Sequence, residues 1–277
     1  MDETTGVDPQ NENENQEINQ DNMKKKSETE EWINSFFIAV IAAIIIRIFI
    51  FAPTVVKGPS MEQTLIAEDR LITERISYFL NIKPSRGDII TFTEPHSQFY
   101  YETDPLRKIY QYFVKRDYIK RVIGIEGDHV QIKSDSILID GNEYKNYEIK
   151  NNQIFIKGEL LTGNYTAIME NAGVYVNGKK VEENYTNGDW SVNLDIIDGK
   201  IEQAPYSSEK DINIDVKVEK GYVFVMGDNR NNSSDSRKFS AARGDIVAKD
   251  GCISLKELSG RVLFRFWPLN KFGGIRK

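Results

Sequence analysis

The chain of 277 residues has only one cysteine, Cys252, and two histidines, His96 and His129. These are residue types on which many catalytic and metal sites depend. A single cysteine excludes an intrachain disulfide, and with so few histidines it also argues against a zinc site, so we expect no metal and no cofactor. A Ser-His-Asp triad would need one of the two histidines, and neither lies in a recognisable motif.

The chain also lacks an excess of positive charge. It has 36 lysines and arginines against 42 aspartates and glutamates, which gives a formal net charge of -6. No basic surface is implied, so a nucleic-acid partner is disfavoured. The composition indicates no oligomeric state.

Large apolar side chains are almost absent from residues 1–31, which we expect to form a disordered polar leader. Residues 32–56, in contrast, carry a single charge, Arg47, and are long enough for a helix that crosses the ~30 Å hydrocarbon layer. A buried core helix and a cleaved signal peptide fit this segment less well. Because Lys24–Lys26 precede the helix, the positive-inside rule places the N-terminus in the cytoplasm and the rest of the chain outside.

Long helical periodicity is lacking after residue 57. Short apolar runs bounded by Gly, Asn and Asp predict a mostly β fold. We divide this part into a β domain of residues 57–132 and 221–268, an inserted accessory lobe of residues 133–220, and a tail of residues 269–277. In the lobe, an apolar triplet followed by a turn pair predicts a hairpin at three places: Ile137–Gly141, Ile154–Gly158 and Val174–Gly178.

Lys120 lies within an apolar run, Tyr118–Ile125, that has the length and composition of a buried strand. Burial of an ammonium group favours its neutral form and lowers the lysine pKa from about 10.4. A neutral amine is a general base, so Lys120 is a candidate catalytic residue. The alternative is an edge-strand lysine that prevents aggregation.

Three other segments are candidates for a shared site. Ser60 follows a Gly-Pro turn, in the run Gly58–Leu65. Arg86–Asp88 form a turn that leads into a predicted strand. The polar run Gly227–Arg237 directly follows the predicted strand Tyr222–Met226 and can place several hydrogen-bonding groups together. Taken singly, these are ordinary turn or loop residues.

Together, in this order and with the closing run Gly260–Pro268, these segments resemble the type I signal peptidases of the bacterial plasma membrane, in their Gram-positive form. The resemblance covers roughly residues 30–268 and only loosely the accessory lobe. It implies a membrane-anchored, sheet- or barrel-like β domain that acts as a serine-lysine peptidase. The implied activity is removal of signal peptides from exported preproteins, after small residues at positions -3 and -1. The implied partners are the preproteins and the lipid bilayer, with the catalytic domain outside the cytoplasm.

The resemblance also implies roles for single residues. Ser60 would be the nucleophile and Lys120 its general base, with Ser233 orienting the lysine amine. Asp235 and Arg237 would form a supporting ion pair. Arg121 would lie near this pair.

The same resemblance bears on the oxyanion site and on substrate binding. The main-chain amide of Ser60 would be one oxyanion donor, and Gly58 lies where some members have a serine that supplies the other. The candidates for the substrate pockets, each of which core packing would equally explain, are Val56, Met61, Leu65 and Ile119. The chain departs from the usual pattern at Gln63, Glu126 and Asn231, where we expect altered loop rigidity.

Three alternatives remain open at this point. The first is a catalytically inactive, membrane-anchored β-domain scaffold. The second is a sortase-like transpeptidase, which would have to use Cys252. The third is a self-cleaving repressor-type peptidase, which would be soluble and carry a DNA-binding domain, whereas this chain has a predicted membrane span instead.

Overall fold

The computed structural model describes residues 30–46, 50–95, 97, 101–114, 117–186, 188–201, 214–239 and 248–275. The chain divides into two compact units, Met1–Ile50 and Phe51–Lys277. The predicted leader therefore lies, except for its last two residues, outside the described part of the chain.

In the first unit, residues 30–45 form helix α1, whose apolar side chains are exposed. No helix within the described residues meets the length and apolarity that a membrane crossing requires. The helix predicted over residues 32–56 is wrong at its C-terminal end, because Phe51–Val55 form strand β1 and pair antiparallel with Arg70–Glu74. Phe, Thr and Val suit a strand, and an edge strand such as β1 tolerates Pro53.

The second unit is built on a nine-stranded sheet with the order β1-β2-β20-β3-β4-β17-β19-β18, in which β21 pairs with β20. Its strands are β1 (Phe51–Val55), β2 (Arg70–Glu74), β3 (Ile89–Thr93), β4 (Asp117–Gly124), β17 (Tyr222–Met226), β18 (Ala248–Lys249), β19 (Cys252–Ser254), β20 (Leu258–Trp267) and β21 (Gly273–Gly274). The C-terminal β20 thus lies between β2 and β3. Because β21 pairs with β20, residues 273–274 belong to the sheet and not to a separate tail.

Short helices connect these strands. They are the α-helices α2 (Ile76–Phe79) and α3 (Pro105–Val114), and the one-turn 3-10 helices Pro59–Met61, Arg230–Asn232, Leu255–Glu257 and Leu269–Lys271. The 3-10 helix Pro59–Met61 holds Ser60 between β1 and β2. Arg230–Asn232 follows β17, within the polar run Gly227–Arg237, which forms a loop that we call the polar loop.

The accessory lobe contains a four-stranded sheet, β13-β12-β5-β16, and an eight-stranded sheet, β10-β9-β15-β14-β11-β6-β7, in which β8 pairs with β9. The strands are β5 (His129–Lys133), β6 (Ile137–Ile139), β7 (Asn142–Tyr144), β8 (Tyr147–Lys150), β9 (Gln153–Ile156), β10 (Glu159–Leu160), β11 (Tyr165–Met169), β12 (Gly173–Val176), β13 (Lys179–Lys180), β14 (Val192–Ile197), β15 (Lys200–Ile201) and β16 (Asp215–Lys217). Because β5 pairs with β12 and β16, the lobe begins a few residues before the predicted residue 133.

The three predicted hairpins of the lobe are confirmed. They join β6 to β7, β9 to β10 and β12 to β13. In each turn both central residues have positive φ, as the two-residue turn that matches the strand twist requires. The turn pairs are Asp140–Gly141, Lys157–Gly158 and Asn177–Gly178.

Two apolar clusters surround the centre of the nine-stranded sheet. One contains Ile90, Phe92 and Val122, and the other contains Ile89 and Ile119. All five residues of β3 and the last six of β4 are buried. A charged side chain on β4 is therefore removed from water.

Candidate active site

Strand β4 brings Lys120 to Ser60. The lysine side chain is 3% exposed, and its Nζ lies 2.7 Å from Ser60 Oγ and 3.1 Å from the main-chain oxygen of Ile119. The alternative of an edge-strand lysine is wrong, because β3 and β17 flank β4 on both sides. The two residues predicted to be nucleophile and base therefore lie within hydrogen-bond distance of each other.

The surroundings of Lys120 favour its neutral form. Burial lowers its pKa from 10.5 to about 8, while the negative charges of Asp235 and Asp228 act in the opposite direction and Arg237 lowers it further. With this pKa a minor but functional fraction of the lysine is neutral near physiological pH, and that neutral amine can accept a proton from a hydroxyl group.

The polar loop fixes the Ser60 segment. The main-chain N–H of Asn229 donates to the Ser60 carbonyl at 3.0 Å, and Asn229 Nδ2 donates to the Pro59 carbonyl at 3.2 Å and to Glu62 at 3.1 Å. These contacts join residues about 170 positions apart in the sequence, so the polar loop and the segment that carries Ser60 hold each other in place. Asn229 was missed as a site residue in the sequence, although it lies within the polar run.

The predicted ion pair between Asp235 and Arg237 is confirmed. Arg237 Nε and Nη2 donate to the two carboxylate oxygens at 2.9 and 3.0 Å, and both side chains are buried. Burial raises the pKa of Asp235, but Arg237 and the main-chain N–H of Gly227 outweigh it and lower this pKa to about 2. Asp235 is therefore a fixed negative charge in the surroundings of Lys120.

Arg121 forms a second buried ion pair. Its Nε and Nη2 donate to both oxygens of Asp228 at 2.9 and 2.7 Å, and its Nη1 donates to the Gly87 carbonyl at 2.9 Å. Thr64 Oγ1 donates to the same carboxylate at 2.6 Å. Asp228 thus connects β4 to the segment that carries Ser60. The polar run contains Asp228, but nothing in the sequence distinguishes it from Asp235 as the partner of Arg121.

Ser233 is buried in the polar loop, and its role in orienting the Lys120 amine stays a prediction. Its hydroxyl is one of the groups that lower the pKa of Asp235 by hydrogen bonding, and it is not among the hydrogen-bond partners of Lys120 Nζ, which are Ser60 and Ile119. Ser233 packs against Gly227, where an added Cβ would lie 2.3 Å from Ser233 Oγ and 2.4 Å from the Ser60 carbonyl oxygen.

The four pocket candidates lie together. Each is at most 8% exposed, and all belong to one apolar cluster that includes Leu71 and Ile89. The structure therefore shows packing contacts for these residues: Val56, Met61, Leu65 and Ile119. Gly58 is exposed, with extended backbone, at the start of the 3-10 helix of Ser60.

The remaining candidates for chemistry lie elsewhere. Cys252 is buried on β19, and burial raises the pKa of its thiol, so it is unsuited to act as a nucleophile. His129 is paired with Asp215 in the lobe, and His96 lies outside the described residues. Across the residues that the structure describes, no group of His, Cys, Asp and Glu side chains is arranged to hold a metal ion.

Comparison with known proteins gives consistent matches. Residues 29–167 and 161–267 match the family described as signal peptidase, peptidase S26. The chain is 27% identical over 251 residues to signal peptidase IB of Staphylococcus aureus (strain Mu50 / ATCC 700699), covering 89% of this chain and 94% of the relative. It is 32% identical over 257 residues to signal peptidase I P of Bacillus subtilis subsp. natto, covering 92% and 95%.

A crystal structure of a signal peptidase I from Enterococcus faecalis V583 matches with 18% identity and a TM-score of 0.28, over 65% of this chain and 96% of the other. The family match spans most of the described β domain and both candidate catalytic residues. The chain belongs to the signal peptidase family, peptidase S26.

Proposed function

We propose that the protein is a membrane-bound serine endopeptidase that removes signal peptides from exported preproteins with a Ser60–Lys120 dyad. The observation that carries this proposal is the 2.7 Å distance between Lys120 Nζ and Ser60 Oγ, in a setting that lowers the lysine pKa to about 8. A hydroxyl group becomes a nucleophile when a neighbouring base accepts its proton.

In the proposed reaction, Ser60 Oγ attacks the scissile carbonyl carbon while its proton passes to the neutral Lys120 amine. The resulting ammonium group gives this proton to the leaving amine, and an ester to Ser60 remains. Lys120, neutral again, accepts a proton from water, whose oxygen attacks the ester and releases the new C-terminus. Lys120 then returns the proton to Ser60 Oγ, and the cycle closes.

The main-chain N–H of Ser60 is the proposed first donor to the tetrahedral oxyanion. Gly58, two residues earlier, is the proposed position of the second donor. Its exposed backbone supports this role, since nothing lies within 4 Å of where a side chain would begin.

Substrate specificity for small residues at -3 and -1 is proposed to depend on the apolar cluster of Val56, Met61, Leu65 and Ile119. A substrate bound as an added strand presents alternate side chains to one surface. Because the cluster is almost closed, only short side chains could be admitted there without displacing it.

Anchoring in the bacterial plasma membrane is proposed from the apolar run that begins at Trp32. The run up to residue 50 carries only Arg47 as a charged side chain. Lys24–Lys26 precede it, which favours a cytoplasmic N-terminus and an extracytoplasmic catalytic unit.

The test is cleavage of a model preprotein in detergent, with product masses determined by mass spectrometry. We expect the wild type to cut after a small residue, and Ser60→Ala and Lys120→Ala each to abolish cleavage. The double variant should be little worse than either, because the two residues act as a unit. Ser234→Ala, an exposed serine of the same polar loop, is the matched control and should keep wild-type activity.

Cleavage by either single variant would refute the dyad. A folded wild type that cleaves nothing across a range of lipids and pH values would favour the inactive scaffold instead.

A further inference from the structure

Three arginines are buried next to the Ser60–Lys120 dyad, and each has a carboxylate partner. Arg121 pairs with Asp228, and Arg237 pairs with Asp235. These two carboxylates come from the polar loop itself. The third arginine, Arg230, is 2% exposed and takes its partner from outside the nine-stranded sheet.

That partner is Glu183, in the accessory lobe. Arg230 Nη1 donates to Glu183 Oε2 at 2.6 Å, and Nη2 donates to the other oxygen. The Glu183 side chain is 9% exposed. The buried group therefore holds three positive and three negative charges, and it is balanced only because the lobe supplies one carboxylate. An unpaired buried charge is strongly unfavourable.

Aromatic rings from the same segment of the lobe cover the arginines. The centroid of the Tyr185 ring lies 3.9 Å from Arg121 Cζ. The centroid of the Trp190 ring lies 5.5 Å from Arg230 Cζ and 5.2 Å from Arg237 Cζ. Distances below about 6 Å permit attraction between a guanidinium group and a ring face. We name residues 183–186 and 188–190, which lie between β13 and β14, the strap.

We propose that the strap positions the catalytic dyad, so that Glu183, Tyr185 and Trp190 act on the reaction through the three arginines. The proposal rests on the proposed serine-lysine mechanism. These strap residues are positioning residues.

Two links connect the strap to Lys120. Arg121 is the residue next to Lys120 on β4, and Arg237 is among the charges that lower the pKa of Lys120. Trp190 is 5% exposed and lies over two of the buried arginines, and one of these, Arg237, belongs to the ion pair whose charges act on the Lys120 pKa. Because burial is the largest cause of the low lysine pKa, water entering after loss of this ring would raise that pKa.

The first experiment compares Trp190→Ala with Trp190→Phe in the full-length protein, measuring kcat, KM and the pH dependence of preprotein cleavage. We expect Trp190→Ala to lower kcat by about tenfold or more, with KM unchanged, because small displacements of reacting groups are costly. The acidic limb of its pH profile should move to higher pH. Trp190→Phe keeps a ring over the arginines and should restore most of kcat and the wild-type midpoint.

The second experiment tests the charge balance with Glu183→Gln, which keeps the shape of the side chain and is expected to remain folded. It should lower kcat, and the added substitution Arg230→Gln should recover part of the loss, since both charges are then gone. If Trp190→Ala does not fold, the comparison of Glu183→Gln with and without Arg230→Gln tests the role of the strap by itself.

Ser60→Ala is measured alongside as a reference. Wild-type kcat and pH midpoint in folded Trp190→Ala or Glu183→Gln would overturn the role of the strap. Residual cleavage by Ser60→Ala would instead overturn the serine-lysine mechanism.

Discussion

Replacement of Gly227 by alanine would disturb the dyad directly. The added Cβ would lie 2.3 Å from Ser233 Oγ, 2.7 Å from Ser233 Cβ and 2.4 Å from the Ser60 carbonyl oxygen. Non-bonded carbon and oxygen atoms need roughly 3.4 Å, so the contact with Ser60 requires a shift of about 1 Å. Rotation of Ser233 can relieve one contact, but the Ser60 carbonyl is main chain and is held by Asn229.

The nucleophile must therefore move relative to Lys120. A displacement of about 1 Å at a reacting group costs on the order of 100-fold in rate, and overpacking a buried site costs about 1–3 kcal/mol in stability. We expect Gly227→Ala to remain folded with a lower melting temperature and to lose about 100-fold in kcat, with a smaller effect on KM.

The assay is the initial rate of preprotein cleavage, with thermal unfolding measured on the same samples. Gly274→Ala is the matched control, because a Cβ there meets nothing within 4 Å and the backbone is not in the left-handed region. A folded Gly227→Ala protein with kcat within about twofold of the wild type would refute the reasoning, since its carbonyl contact could then be relieved without moving Ser60.

Three further predictions concern Lys120 and the turn after Ser60. The pH profile of kcat/KM should rise with a midpoint near 8, because only the neutral amine accepts a proton, and a midpoint near 10.5 would contradict its burial. Lys120→Met should abolish cleavage yet raise the free energy of unfolding at pH 7. The shift of the Lys120 pKa from 10.5, the value expected in the unfolded chain, to about 8 in the folded protein corresponds to about 3 kcal/mol. This gain in the free energy of unfolding, measured by urea titration, should be complete below pH 8 and should vanish as the pH rises through 10.5. Gln63 has φ of 83° at the third position of the turn Met61–Thr64, so Gln63→Gly should add about 1 kcal/mol of stability in thermal unfolding without loss of activity.

Local features of the chain predict much of the fold. Turn pairs such as Asp140–Gly141 specify hairpins because only a few residue types accept positive φ at both central positions. The buried strand around Lys120 follows from its apolar, β-branched neighbours. The ion pair of Asp235 with Arg237 lies within three residues, and it was predicted through the resemblance of the polar loop.

Other features depend on contacts between distant segments and are not encoded locally. The apolar run at Phe51–Val55 suits a helix and an edge strand equally, and pairing with β2 decides between them. Asp228 was not identified as the partner of Arg121 because the two are 107 positions apart. The strap was missed for the same reason, because Glu183 and Trp190 reach the arginines only through the packing of the lobe against the polar loop.

The position of β20 in the sheet has a consequence for how the enzyme is made. This strand is the last of the long strands to leave the ribosome, yet it lies between β2, which follows the Ser60 segment, and β3, which pairs with the strand of Lys120. Until Leu258–Trp267 has been synthesised, these two parts of the sheet have no common neighbour. Before this pairing forms, the sheet itself cannot hold the Lys120 amine against the Ser60 hydroxyl, so the alignment of these two groups by the sheet depends on a strand that is distant from both in sequence.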